Sequence, residues 1–209
     1  GHALFAALPD VERDYLFERL RERHQKHWAE LEASINIGRR EVEDVGYNVT
    51  VKGQKAYNGV AILSKSPIDL ELAELPGDPS DTQARYIEAF TANMRVASIY
   101  LPNGNPVDTE KYPYKLSFME RLYDHVKSLL NHEETFVLGG DYNVIPEERD
   151  CYDPNSWEGD ALFRPETHAV WRKIIYLGLT DAFRALNQEE GRFSYWDYQG
   201  GAWNKDNGI

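Results

Sequence analysis

Disulfide bonding is excluded first, because the 209 residues include a single cysteine, Cys151. A chain with one thiol has no internal disulfide framework and suits a reducing compartment, bacterial cytoplasm or mitochondrial matrix. Long apolar runs are missing as well. None approaches the roughly 20 residues that span a bilayer, so no membrane-crossing segment is expected. The first ten residues lack the basic start and apolar core of a signal peptide, and Gly1-His2 stands where an initiator Met would. Cations are scarce: 23 Lys and Arg face 35 Asp and Glu, a net charge of -12. Nucleic-acid binders usually carry a basic surface, because neutralised phosphates release counterions. An acidic chain can still grip DNA through a local basic groove. Cys151 has acidic neighbours at Asp150 and Asp153 and nothing to lower its pKa, so it reads as a small loop residue rather than a nucleophile.

What is present suffices for one well-cored domain. Residues 10–32 have the spacing of an amphipathic helix, with Asp10 as cap and Phe17, Leu20, His24, Trp28 and Leu31 on one face. His24, His27 and Glu30 could be drawn as metal ligands there, but no further Cys or His stands at ligand spacing. Near residue 45 the charged helix gives way to a strand-rich body, which sets expected segments of 1–45 and 46–209. Short strands are expected at Tyr47–Lys52, Gly59–Ser64, Arg85–Phe90 and Met94–Leu101. A helix is expected over Leu116–Leu130, with Leu116, Met119, Leu122, Val126 and Leu130 inward. A buried strand follows at Thr135–Leu138, then a helix from Pro165 that Gly178 stops. Strands before and between helices indicate sheets covered by helices, an α/β arrangement.

The chemistry concentrates in Phe136-Val137-Leu138-Gly139-Gly140-Asp141-Tyr142-Asn143. An apolar strand presents a carboxylate and an amide two residues apart, and in extended chain both point to one side. Asp141 can accept a proton from water and Asn143 can orient that water or a phosphate. A plain Asp-x-Asn turn, with both side chains bonded to local backbone, accounts for the same residues.

Other stretches favour the chemical reading. They are Gly53 through Ser64, Tyr100-Leu101-Pro102-Asn103-Gly104, Gly178-Leu179-Thr180-Asp181-Ala182-Phe183-Arg184 and Phe193-Ser194-Tyr195-Trp196-Asp197-Tyr198. In this order and spacing, from about Gly46 to Ile209, they resemble the exonuclease III family of apurinic endonucleases. The resemblance implies a four-layered α/β sandwich with two mainly antiparallel sheets. It also implies Mg²⁺-dependent attack of water on a DNA phosphodiester. By it, Asp141 would take the water's proton, Asn143 would place the water, and Tyr100 would stabilise the phosphate or leaving oxygen. Arg85, Asn103 and Lys115 would hold the DNA backbone, and Trp196 would wall the sugar pocket. Arg85 and Lys115 also fit as plain surface charges, and Tyr100 and Trp196 as core aromatics.

The family pattern opens with an Asn-bearing strand and a strand ending in Gln-Glu, whose carboxylate holds the metal. It closes with an Asp-bearing strand and a Ser-Asp-His triplet. Neither stands in these 209 residues, and neither His132 nor His168 substitutes. No metal ligand is therefore assigned. The expectation is an incomplete sandwich: a non-catalytic descendant serving as an interaction or assembly subunit, with a protein partner on its unpaired sheet edges and weak DNA binding. The alternative is an active apurinic endonuclease or 3′-5′ exodeoxyribonuclease of which this chain is a fragment or altered form. Leu16 through Leu31 is in addition similar to the soluble helical part of cytochrome c oxidase subunit IV, which would point to a mitochondrial complex.

Overall fold

The computed structural model describes residues 42–54, 58–197 and 201–209. The helix expected over residues 10–32, its candidate ligands and the cytochrome oxidase-like stretch lie outside them, as do Tyr57 and Tyr198. The described residues form two compact units. One runs to Tyr100 and takes in Glu134–Asp141, and the other comprises Leu101–Glu133 and Tyr142–Ile209.

The first unit holds both sheets. β1 (Asn48–Gly53) pairs antiparallel with β2 (Gly59–Ser64). β3 (Asp69–Leu72), β4 (Tyr86–Thr91), β5 (Met94–Tyr100) and β6 (Phe136–Asp141) form the second sheet in chain order. The β3-β4-β5 pairings are antiparallel and β5-β6 is parallel. Val60 and Ile62 of β2 pack against Ile87 and Ala89 of β4, with Val96 and Tyr100 of β5 alongside. The fold is thus α/β with two mainly antiparallel sheets, as the sequence implied. β3 was not anticipated, although Asp-Leu-Glu-Leu alternates with period two.

β6 corrects a second expectation. The strand does not stop before the two glycines but runs through Gly139 and Gly140 to Asp141. Among the described residues its strand partner is β5, and Val137 is 49% exposed where burial was expected. Gly140 has φ +146°, and a Cβ built there would lie 1.9 Å from the carbonyl oxygen of Ile99 on β5. No other residue type fits that approach. On β4 the buried Glu88 accepts from the Tyr86 hydroxyl at 2.5 Å and from Arg95 at 2.6 Å. Arg95 also donates to Glu134 at 2.9 Å, so one guanidinium ties β4, β5 and the approach to β6. Burial opposes its charge, but the bonds to Glu134 and Glu88 outweigh that and raise the Arg95 pKa.

The second unit carries the helices. α1 (Lys111–Leu129) starts five residues before the expected Leu116, with Pro113 in its first turn where an N–H has no helical partner. Met119, Leu122 and Val126 are buried as the periodicity indicated, Leu116 is half-buried, and Phe118, not in the expected set, is buried with them. Leu130, expected inward, falls in a terminal 3₁₀ turn and is 38% exposed. α2 (Pro165–Ile175) opens on its proline, and α3 (Ala182–Leu186) is capped by Asp181, which accepts from the Arg184 N–H. α4 (Ala202–Lys205) is a single turn. Tyr112, Ile145, Cys151, Ala161 and Leu162 make this unit's core. Among the described residues no helix is long and apolar enough to cross a membrane.

Candidate active site

Three of the seven expected residues lie in the first unit, at one end of its larger sheet. Tyr100 and Asp141 are the last residues of β5 and β6 and pair in register. Adjacent strands lie about 5 Å apart, so a phenol and a carboxylate emerge side by side where the two parallel strands end. Arg85 precedes β4, and its guanidinium lies over the Tyr100 ring at 4.9 Å from the centroid. It donates to Gln83 at 2.7 Å and to the Tyr100 carbonyl at 3.2 Å. A cation over the face of a phenol ring is held electrostatically, and two hydrogen bonds fix its tilt. Arg85 therefore braces Tyr100. Asp141 is exposed.

The other four residues lie in the second unit. Asn143 is in the left-handed region at φ +47°, a conformation that asparagine tolerates better than most side chains. The strand stops at Asp141, so the extended alternation expected to align Asp141 with Asn143 does not reach Asn143. The Asn143 amide donates to the Leu101 carbonyl at 2.8 Å, and its side-chain oxygen accepts from Asn103 at 3.0 Å. Asn103 in turn accepts from the Asn105 N–H at 3.2 Å.

Lys115 departs furthest from expectation. Its side chain is fully buried, and its ammonium donates to the carbonyls of Asn103 and Asn143. It holds two loops together from beneath and does not present its charge at the surface. Gly104 makes the arrangement possible, since a Cβ there would come within 2.8 Å of the Lys115 Cδ. The sequence signal was available: Tyr112, Lys115 and Met119 share a helical face, and that face is buried. Between Asp141 and Asn143, Tyr142 meets Trp171 edge-on at 5.1 Å. Burial pushes the Tyr142 phenol pKa up, and the Asp181 charge adds to the shift.

Trp196 sits in an aromatic group with Phe193 and Trp203, at centroid distances of 6.3 and 4.7 Å. Its indole N–H donates to Asp206 at 3.0 Å, and its backbone bridges Gly208. Tyr195 and Ile209 exchange backbone bonds beside it. A further clamp, unanticipated from sequence, is the ion pair of Arg184 with Asp150. Arg184 also donates to the carbonyls of Asn187 and Glu189, both at 3.1 Å.

The Endonuclease/Exonuclease/phosphatase family matches residues 10–209. The chain belongs to that family. Within the family it is similar to exodeoxyribonuclease III of Haemophilus influenzae, 30% identical over 179 residues, covering 80% of this chain and 67% of the relative. An exodeoxyribonuclease of Bacillus subtilis is 26% identical over 174 residues, covering 82% of this chain and 68% of the relative. Among solved structures, an AP endonuclease from Archaeoglobus fulgidus superposes with a TM-score of 0.75 at 32% identity, over 81% of this chain and 66% of that one. A 3′-5′ exonuclease from Neisseria meningitidis gives 0.77 at 32% identity, with the same coverage. These relatives identify an exonuclease III-type member of the family. The chain spans about two thirds of their length.

Proposed function

We propose that the protein hydrolyses DNA phosphodiesters as an exonuclease III-type apurinic endonuclease or 3′-5′ exonuclease. The observation that carries this reading is the in-register pair of Tyr100 and Asp141 at the ends of parallel strands, with Arg85 braced on the phenol ring. In the proposed roles, Asp141 accepts the proton of the attacking water, a task its carboxylate performs once deprotonated. The Tyr100 hydroxyl donates to a phosphate oxygen, and the Arg85 cation favours the negative charge that grows there. Asn143 places the water or the phosphate, Asn103 contacts the DNA backbone, and Trp196 walls the space for the sugar. Lys115 is proposed as the group that holds the Asn103 and Asn143 loops, not as a phosphate contact.

Magnesium is the ion that the family resemblance implies. Among the described residues no three His, Cys, Asp or Glu side chains cluster to hold a metal. Asp141 is one carboxylate, and the Asn143 side-chain oxygen already accepts from Asn103. One carboxylate alone does not fit a hard cation needing several oxygen ligands.

A second reading, a non-catalytic subunit completed by a protein partner, draws support from the same asparagine. Both ends of the Asn143 amide are engaged within the protein, which suits a structural role. One experiment separates the two. The protein is incubated with Mg²⁺ and a duplex carrying one abasic site, beside Asp141→Ala. Incision by the parent that disappears in the variant supports the enzyme. Absence of incision while the duplex remains bound supports the subunit.

A further inference from the structure

Trp203 is among the largest apolar side chains of the chain and is 62% exposed. Such a side chain left in water forgoes the stabilisation of burial, so its placement calls for an explanation. It projects from α4, which is closed at its end by bonds from the Asp206 and Asn207 N–H groups to the carbonyls of Trp203 and Ala202. Its ring meets Trp196 edge-to-face at 71°, with centroids 4.7 Å apart. Trp196 is itself fixed through its indole bond to Asp206 and its bridge to Gly208. The Trp203 indole thereby has one aromatic neighbour in contact while most of its surface stays open. That is the form of a stacking platform: a flat, largely open ring next to the residue proposed to wall the sugar pocket.

We infer that Trp203 stacks on an unpaired nucleobase beside the damaged sugar and so determines selectivity for DNA with a gap in its base stack. The inference rests on the proposed DNA-directed function and adds a specificity-determining residue to it. A nucleobase suits the site better than a protein surface does. The Trp203 indole is matched in size to a base, and aromatic stacking requires no particular sequence. Paired DNA keeps its bases stacked and offers no face to the ring.

The test needs no turnover. A duplex with a tetrahydrofuran abasic site opposite 2-aminopurine is titrated without divalent metal, following both anisotropy and 2-aminopurine emission. The parent is expected to bind and to change the emission. Trp203→Ala should weaken binding about tenfold and abolish the emission change, while affinity for a fully paired duplex stays the same. Trp203→Phe should retain part of both effects, and equal thermal midpoints would show that the fold is kept. If Trp203→Ala binds the abasic duplex as tightly as the parent, or weakens both duplexes equally, the inference is overturned and the proposed function survives. If the parent binds neither duplex, the proposed function fails and the inference with it.

Discussion

Asn103 donates its side-chain amide to the side-chain oxygen of Asn143 at 3.0 Å, joining residues 40 positions apart. With the Lys115 ammonium on the backbone carbonyl of each, the two loops are fastened at side chain and main chain alike. Loops so fastened keep their polar groups in fixed places.

The left-handed backbone of Asn143 orders two substitutions. Asn143→Gly loses the side-chain bonds, about 1 kcal/mol each. Asn143→Ala loses the same bonds and adds a left-handed penalty of about 1 kcal/mol. Denaturant titration should therefore rank parent above Gly above Ala. An alanine variant more stable than the glycine variant would show that backbone conformation does not constrain this position.

Lys115→Met should leave two carbonyls without their donor and destabilise the protein by about 2 kcal/mol. It should not alter how DNA affinity depends on salt. Removing a phosphate contact lowers the log–log slope by about one, and a drop of that size would mean that the ammonium reaches DNA after all.

At Gly140 a methyl group has nowhere to go. Gly140→Ala should cost more than about 4 kcal/mol or prevent folding, because β6 cannot otherwise approach Ile99. Gly59 offers the control, since its nearest neighbour to a new Cβ is 3.8 Å away. Circular dichroism melts of the two alanine variants should differ widely, and similar melts would contradict the close approach.

Burial raises the Cys151 thiol pKa above its ordinary 9.0, with Asp150, Asp153 and Glu148 adding to the shift. The folded state thus favours the neutral thiol, and above pH 9 the unfolded chain gives up its proton first. The stabilisation is complete below that pH and is lost as pH rises towards the folded value. Between about pH 8 and pH 10 the parent should lose more stability than Cys151→Ala. Identical pH slopes for the two proteins would remove Cys151 as the cause.

Much of the architecture was legible along the chain. Gly59–Ser64 alternates as a strand and forms one with those bounds, and Met119, Leu122 and Val126 recur at helical spacing and are buried. Pro165 opens a helix because its missing N–H is not needed there. β3 escaped notice because four residues give periodicity little to work with, and β6 was cut short because two glycines ordinarily signal a turn.

The site divides in the same way. Asp141, Tyr100 and Trp196 were nominated by the motifs that carry the family resemblance. Sequence alone also settled the scarcity of cations and the single thiol. Only the tertiary structure decided that Lys115 is a buried tie rather than a surface cation, and that Asn143 bonds to Leu101 and Asn103. It likewise put Arg85 over the Tyr100 ring and left Trp203 open. Those facts depend on which distant backbone groups come within hydrogen-bonding reach. Periodicity along a chain reports which face of an element is buried, but not which atoms from the rest of the chain meet it there.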